Sequence, residues 1–555
     1  MAFNRNYQNL VEEQTNAHTR LIRDYDGTNR DFDYIIIGSG MGGGILADDL
    51  ADHLGSHKRI LLLDVGSFIY PTHVYNISRF PNSGLAKHFG VSNFWQQSEN
   101  SGFKIGEEPQ MAFGGRSIFW SGLIPQAQSW ELDYFPDNVK SDLKNTYLDL
   151  AGDRMNESIT MGDKATEMVN FFRSTSLNDD FEIVQTPRAL HQPYLNANGI
   201  PKDQFYTEPT GVFNTAELLI NQVGLTPGNS QEGPGLFVKL NSFVESVKDI
   251  PFDWHEVKTT NTITGEETIF YSPNVIMAAG SIESPKLINR SSAYHKQRDD
   301  IKQQIGFGLT DHPVTSESRA SVSSLGPNGI PIGVNDHAKI IFYSRGEKDS
   351  NGHIKFPFNI EMNVNHEYWH LRNNDPSVPV FSTPSKSKVD IKFSFANCLD
   401  DENGILSHAH DGYKPEIRFK RFSNLGNLLQ SRFPAVAGWH KSDQDFFNLL
   451  NGTRNRVFEL FNGVEWETPE YGGNGKQWPF GWGTVHHACG TLRMPWKSHL
   501  HDNFNYESIV DENLQVKNSK GLYVCDMSVM PISTAANPVR TLAGLALRLS
   551  SHLRS

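Results

Sequence analysis

The chain has 555 residues, a formal net charge of -13, 20% charged and 38% hydrophobic residues. That length exceeds one simple core and calls for two domains or one elaborated domain, while the acidic balance argues against nucleic acid and against a polybasic membrane anchor. No apolar run is long enough to insert into a bilayer, mean hydropathy is -0.46, and the opening MAFNRNYQNLVEEQTNAHTR lacks the apolar segment of a secretory signal, so a cytoplasmic location is expected.

Three widely spaced cysteines, Cys398, Cys489 and Cys525, fit a reducing compartment better than a disulfide framework. The sequons at Asn76, Asn156, Asn289 and Asn451 carry no meaning there. Residues 1–30 are polar and weakly periodic; they are expected as a surface arm or helix on the core or on a partner subunit, which leaves an oligomer open.

Residues 34–37 form a short apolar run that stops at Gly38, as a buried parallel strand would. The following GSGMGG is a dinucleotide fingerprint. Gly38 allows the tight turn, Gly40 lets the backbone approach a pyrophosphate, Met41 heads the helix, and Gly43 lets that helix pack closely on the strand. Ile45, Leu46, Leu50 and Leu54 share a helical face, and 60–63 form a second strand ending in Asp64, spaced to accept hydrogen bonds from an adenosine ribose. The fingerprint alone leaves FAD and NAD open.

Residues 66–110 are loop-rich and lead to MAFGGRSIFWSGLIPQ. There Gly114 and Gly115, then Ser117, Trp120 and Ser121, suit a backbone passing close to a flat ligand. Residues 129–205 read as short helices and loops. A helix is expected over 216–223 and one strand over 236–247, paired with 268–271 across a polar insertion. Residues 274–279 form another buried strand, running into Ala279 and Gly280, with Pro285 in the first turn of the next helix. GFGLTDHP at 306–313 closes that unit. From 321 to 477 alternating strands at 338–343, 358–364, 389–395 and 415–419 predict an inserted, mainly antiparallel sheet. The last segment returns with a strand at 521–525 ending at Asp526 and a helix over 537–549, for which Asn537 is the expected N-cap, Pro538 the first helical residue, followed by Val539.

Two further segments, GWGTVHHACGTLRMP around His487 and STAANPVRTLAG around Asn537, complete a pattern. With the fingerprint at Gly38, the GG turn at Gly114, LNSFVESV, VIMAAGSIESPKLI and GLTDHP, all in order, the chain resembles the glucose-methanol-choline (GMC) oxidoreductases, a family of FAD enzymes. The resemblance implies an α/β fold: a Rossmann-like FAD-binding domain (30–150, 206–320 and 481–555) with an inserted mainly antiparallel-sheet substrate-binding domain (151–205 and 321–480). It implies oxidation of an alcohol to a carbonyl, His487 taking the hydroxyl proton while hydride leaves for flavin N5, and Asn537 hydrogen-bonding the alcohol oxygen. It further implies that Gly38, Gly40, Met41, Gly43 and Asp64 hold the ADP half of FAD and that the Val244 backbone meets the adenine edge. Gly114, Gly115, Ser117, Trp120, Ser121, Ala279, Gly280, Asp526, Pro538 and Val539 would contact the rest of the cofactor.

Phe119 stands where some relatives carry a histidine tethered to FAD, so non-covalent FAD is expected. The GGRSIFW wording leans toward the sugar-oxidising, pyranose-oxidase-like branch. Oxygen, a quinone or a protein are all open as electron acceptors. A lyase or isomerase keeping FAD for structure is the alternative within the fold. HEYWH at 366–370 also matches the zinc-peptidase pattern through His366, Glu367 and His370, but the strand-like FNIEMNVN before it and Pro376 after it disfavour the required helix, and no metal is expected. Tyr368, Trp369 and His370 instead suit stacking on a sugar face, and His486 is the neighbour competing with His487.

Overall fold

The fold was derived from a computed structural model, which describes residues 25, 28–68, 96–97, 110–158, 163–190, 211–224, 235–334, 336–365, 386–406, 416–418, 443–472, 487–496 and 506–555. In chain order the elements that matter are β1 (Tyr34–Ile37), α1 (Met41–Leu54), β2 (Ile60–Leu63), α2 (Asp163–Arg173), β3 (Phe181–Gln185), α3 (Thr215–Gly224), β4 (Leu236–Lys239), β5 (Ser242–Ile250), β6 (Trp254–Asn261), β7 (Glu267–Ser272), β8 (Asn274–Met277) and α4 (Glu283–Asn289). They continue with β9 (Ser318–Val322), β10 (Ala338–Ser344), β11 (Phe358–Val364), β12 (Ser387–Phe395), α5 (Asp443–Phe458), β13 (Glu465–Trp466), β14 (Leu522–Val524) and α6 (Val539–Arg554).

Five strands form a parallel sheet in the order β14-β8-β1-β2-β4. YIII of β1 and ILLL of β2 are buried at every position, because elements cover both faces of such a sheet and leave no polar side. Helix α1 follows β1 directly, and α6 packs against it with Leu542, Leu545 and Leu549 buried. The first and last parts of the chain therefore share one core.

A second core lies under a six-stranded sheet of order β13-β9-β12-β11-β10-β3, antiparallel throughout. Along β11, Phe358, Ile360, Met362 and Val364 enter that core with Met168 and Phe172 of α2 and Phe446 and Leu450 of α5. Asn359, Glu361 and Asn363 point to the other face, as the two-residue period of a strand requires. The predicted mixed α/β architecture and inserted sheet are thus present.

Three local expectations need correction. The stretch 236–247 is two strands, β4 and β5, broken at Asn241 with φ 50°, and only β4 joins the parallel sheet. β7 does not pair with β5: β6 stands between them in a separate antiparallel sheet, where its residues alternate intermediate and buried. The strand expected at 415–419 spans Glu416–Arg418 and lies in a small sheet with Gly404–Leu406 and Gln96–Gln97, not in the large one.

The closeness of α1 to the sheet gives a sharp test. A Cβ on Gly43 would stand 2.0 Å from the Gly38 carbonyl oxygen, whereas one on Gly452, inside α5, would meet nothing within 4 Å. Gly43→Val should lower unfolding stability by about 1–3 kcal/mol or more, and Gly452→Ala should raise it by about 0.5–1 kcal/mol. Urea titrations of both variants against the parent measure the two signs.

Candidate active site

The glycine turn is held by a buried carboxylate. Asp64 Oδ2 accepts from the Ser39 amide (2.9 Å) and the Ser39 hydroxyl (2.5 Å), and Oδ1 accepts from the Gly66 amide (2.7 Å). Burial pushes the Asp64 pKa up, and these three donors oppose it. Asp64 thereby ties the end of β2 to the loop after β1; its part in ribose recognition rests on the resemblance. Gly38 has φ +108°, and a Cβ there would lie 2.4 Å from the Ala278 carbonyl oxygen. At Gly40 a Cβ would project into open space, and α1 starts at Met41 without a side-chain cap, so its first N–H groups remain for an anion.

The GG turn packs onto this loop. Gly114 and Gly115 have φ of +88° and +52°, and a Cβ on Gly115 would come within 3.1 Å of Gly40 Cα. The Gly114 amide donates to Ser39 Oγ (2.8 Å), the Ser117 hydroxyl donates to the Gly114 carbonyl (2.6 Å), and the Thr215 amide at the head of α3 donates to Ser117 Oγ (2.9 Å). Ser117 is therefore buried and structural, the Trp120 indole donates to the Phe213 carbonyl (2.8 Å), and Ser121 is exposed. Two Gly-rich turns, far apart in sequence, form one cradle.

A third turn follows β8. Asp526 Oδ2 accepts from the Gly280 amide (2.9 Å) and the Ser284 hydroxyl (2.5 Å), while Oδ1 accepts from the Ser528 amide (2.9 Å). The Ala279 amide donates to Ser284 Oγ (3.1 Å). Gly280 has φ +90° with open space where a Cβ would be. Val244 lies on β5, the edge strand of its sheet, and its carbonyl accepts from the Arg290 guanidinium (3.3 Å). This set fits FAD: open positions at Gly40 and Gly280, an uncapped helix start, and buried carboxylates that fix the turns around them.

His487 lies beside the third of these turns. Its amide donates to Asp311 Oδ1 (3.2 Å), which also accepts from the His312 amide (2.8 Å). The two imidazoles lie nearly parallel, at 21° with centroids 5.2 Å apart, and their Nδ1 atoms are 3.0 Å from each other. The rest of HxxGT explains its own spelling. Gly490 has φ +90°, and a Cβ would strike the Gly308 carbonyl oxygen at 2.6 Å. The Thr491 hydroxyl donates to the Ser281 carbonyl (2.7 Å), and the Ser281 hydroxyl donates to the Ala488 carbonyl (2.6 Å), which ties His487 to the Gly280 turn. Cys489 is buried, and burial first, with Asp311 beside it, pushes its thiol well above the ordinary range, so it is inert.

The segment that leads to Asn537 is tied to the same region at Ser533. Asn397 and Ser533 exchange backbone hydrogen bonds (2.8 and 3.0 Å), the Asn397 amide donates to Thr310 Oγ1 (2.5 Å), and Thr310 pairs with Cys489. Helix α6 begins one residue later than expected: its N-cap is Pro538, whose carbonyl accepts from the Leu542 amide (2.9 Å). Asn537 is thus not the cap, and its half-buried side chain makes no hydrogen bond among the described residues. Residues 366–370 and His486, with Tyr368, Trp369 and His370, lie outside the described residues, so neither the stacking nor the zinc reading bears on this geometry. Among the described residues no group of His, Cys, Asp and Glu could hold a metal.

Sequence reasoning missed His312 and the polar sheet face. In the sequence GLTDHP reads only as a closing segment, although it carries an adjacent Asp-His pair. Burial pulls the His312 pKa down to about 4, with Glu361 opposing and Lys392 adding to the effect. Glu361 and Lys392, opposite each other on β11 and β12, form a 2.9 Å ion pair. Burial pushes the Glu361 carboxyl up, but Lys392 outweighs it and holds the pKa below the ordinary value. Lys339 on β10 is pushed down to about 8 by burial.

A family model described as GMC oxidoreductase matches residues 438–546. Solved structures similar along nearly the whole chain include a formate oxidase of Aspergillus oryzae RIB40, studied for modification of its FAD, at 14% identity over 95% of this chain and 98% of that one, TM-score 0.59. Another is pyridoxine 4-oxidase from Mesorbium loti, at 15% identity over 94% and 99% of the two chains, TM-score 0.57. No curated protein matches the sequence. The likeness to the solved structures shows the fold.

His312 makes stability depend on pH with a defined sign. Its pKa is about 4 in the folded chain and near 6.5 when unfolded, so the unfolded state takes up the proton first and stability falls as pH drops from about 6.5 to about 4. Glu131, raised to about 7 by burial, acts oppositely, stabilising at low pH and losing that contribution as pH rises toward 7. Only the difference between variants isolates the histidine. Between pH 7 and pH 5 the parent should lose about 2 kcal/mol more than His312→Asn; paired urea titrations at the two pH values measure it.

Proposed function

We infer that this chain, whose fold and C-terminal segment are those of the GMC oxidoreductases, is an FAD-dependent oxidoreductase that converts the hydroxyl of a small alcohol to a carbonyl. The observation that carries this reading is the placement of His487: backbone anchored to buried Asp311, and joined by Thr491 and Ser281 to the turn at Gly280. When bound, FAD supplies the two-electron acceptor. The chain's own residues do the rest.

The cradle of Gly40, Gly115, Gly280 and Asp526 would hold the cofactor, and His487 accepts the hydroxyl proton, for which an imidazole has the right basicity near neutral pH. Asn537, with its amide uncommitted among the described residues, holds the alcohol oxygen. At the head of α6, the uncapped N–H groups after Pro538 favour negative charge beside them. Formate and pyridoxine are unlike molecules named for two oxidases of this fold, so substrate choice belongs to the sheet and its loops, with a sugar or other polar alcohol as the first class to try. Oxygen is the acceptor proposed, since both neighbours are oxidases. No helix among the described residues is long and apolar enough to cross a membrane, and the three cysteines are free, in keeping with a cytoplasmic protein.

An anaerobic screen of sugars and simple alcohols should find one that bleaches the flavin absorbance, and admitting air should restore it with release of hydrogen peroxide. His487→Gln should slow the bleaching about 10²- to 10⁴-fold while the flavin stays bound; bleaching at the parent rate would sink the base assignment. Asn537→Ala should slow it roughly a hundredfold, measured by the same stopped-flow trace.

A further inference from the structure

We propose that Glu131 is a positioning residue for Asn537: its buried carboxylate reaches the Ala536 amide and so sets where the Asn537 side chain stands against the substrate oxygen. The proposal rests on the reading of Asn537 as the group that holds that oxygen. It adds what that reading lacks, a reason for Asn537 to keep one place although its side chain makes no hydrogen bond among the described residues.

Glu131 is fully buried, and each of its oxygens has a backbone donor. Oε2 accepts from the Gln128 amide (2.7 Å), three residues back, and Oε1 accepts from the Ala536 amide (2.9 Å), 405 positions away. The Glu131 amide closes the same turn on the Gln128 carbonyl (3.0 Å). The local bonds thus aim the carboxylate, and its second oxygen is left for the distant segment.

The two donors dictate the residue type. A backbone N–H can only donate, so the head must present an acceptor on both sides, as an ionised carboxylate does. Glutamine would turn an NH2 toward one of the two amides, and a protonated carboxyl would turn an O–H. No ion pair offsets the buried charge among the described residues, so backbone amides alone compensate it, and the carboxylate and the segment at 536 hold each other.

Residue 536 is fixed on both sides. Its amide goes to Glu131, and its carbonyl accepts from the Thr534 hydroxyl (2.5 Å). Beyond Asn537, Pro538 accepts the first helical bond of α6 from the Leu542 amide and disfavours a helical backbone at Asn537 itself. The Thr534 bond is internal to the loop and gives it shape without place. Place comes from two ties to other parts of the chain: Ser533 to Asn397, just past the end of β12, and Ala536 to Glu131. The second is one residue from Asn537, so it has the shorter lever on that side chain.

The test uses the flavin-loaded protein and the alcohol that bleaches it fastest. It is run at about pH 8.5, above the value of about 7 to which burial draws the Glu131 pKa, so that the head is a carboxylate. Glu131→Gln should keep its flavin and slow anaerobic bleaching roughly 10- to 100-fold at saturating substrate. In the Asn537→Ala background the same substitution should slow bleaching by no more than about twofold further, because the group it places is gone. Full multiplication of the two effects would overturn the proposal. So would Glu131→Gln bleaching like the parent while Asn537→Ala is slow, an outcome that leaves the Asn537 reading standing. A folded Glu131→Gln that no longer holds flavin would assign Glu131 to the cradle and equally overturn it. Asn537→Ala bleaching like the parent would remove the Asn537 reading itself, and the proposal with it. Should Glu131→Gln not fold, Glu131→Asp, whose stem is one methylene shorter, carries the same pair of comparisons with the same expected outcomes.

Discussion

A three-residue backbone ladder joins the far parts of this chain. β14 pairs in parallel with β8 through Leu522, Tyr523 and Val524, and the next amide, Cys525, continues the ladder to the Met277 carbonyl (2.7 Å). Everything at the site hangs from it. Beyond β14 the chain delivers Asp526 to the Gly280 turn, and the Cys525 carbonyl comes so close to α1 that a Cβ on Gly42 would stand 2.0 Å from it. A slip of one residue in this register would move Asp526 off the Gly280 amide and the Ser284 hydroxyl and leave its Oδ2 buried without those partners, a cost that opposes the slip.

The same economy recurs at Asp64 and Asp311. Each buried carboxylate accepts backbone amides from the segments it joins, so it fixes turns that have no regular secondary structure to define them. Helices and strands supply the platform, and buried acids set the loops upon it. This is why the Gly-rich segments keep defined positions although their residues have few side-chain contacts of their own.

Much of this was legible in the sequence wherever one local rule decides an element. YIII before GSG and ILLL before Asp64 admit little but buried strands around a tight turn, and the alternation in FNIEMNV predicts β11 to the residue. His487 was legible through the spelling HxxGT, whose Gly490 and Thr491 have steric and hydrogen-bonding reasons to be what they are. What stayed hidden were choices made between distant segments. β6 reads as a polar insertion because its partners, β5 and β7, supply the pairing that its composition does not advertise. The approach of His312 to His487 crosses 175 positions and leaves no periodic trace. Asn537 looks like a helix cap by type, yet Pro538 takes that place because its carbonyl is the one that accepts the first helical bond.

The second core draws its strands from separate stretches of chain, and this has a consequence for how the protein is made. β3 finds its neighbour β10 only after the whole middle of the nucleotide-binding core has left the ribosome, as Val184 pairs with Ile341. Until then an apolar edge strand waits in the nascent chain beside elements it must not join. Strains short of chaperones or translating quickly should therefore yield aggregates rather than truncated but tidy domains, and slower synthesis at low temperature should recover folded material.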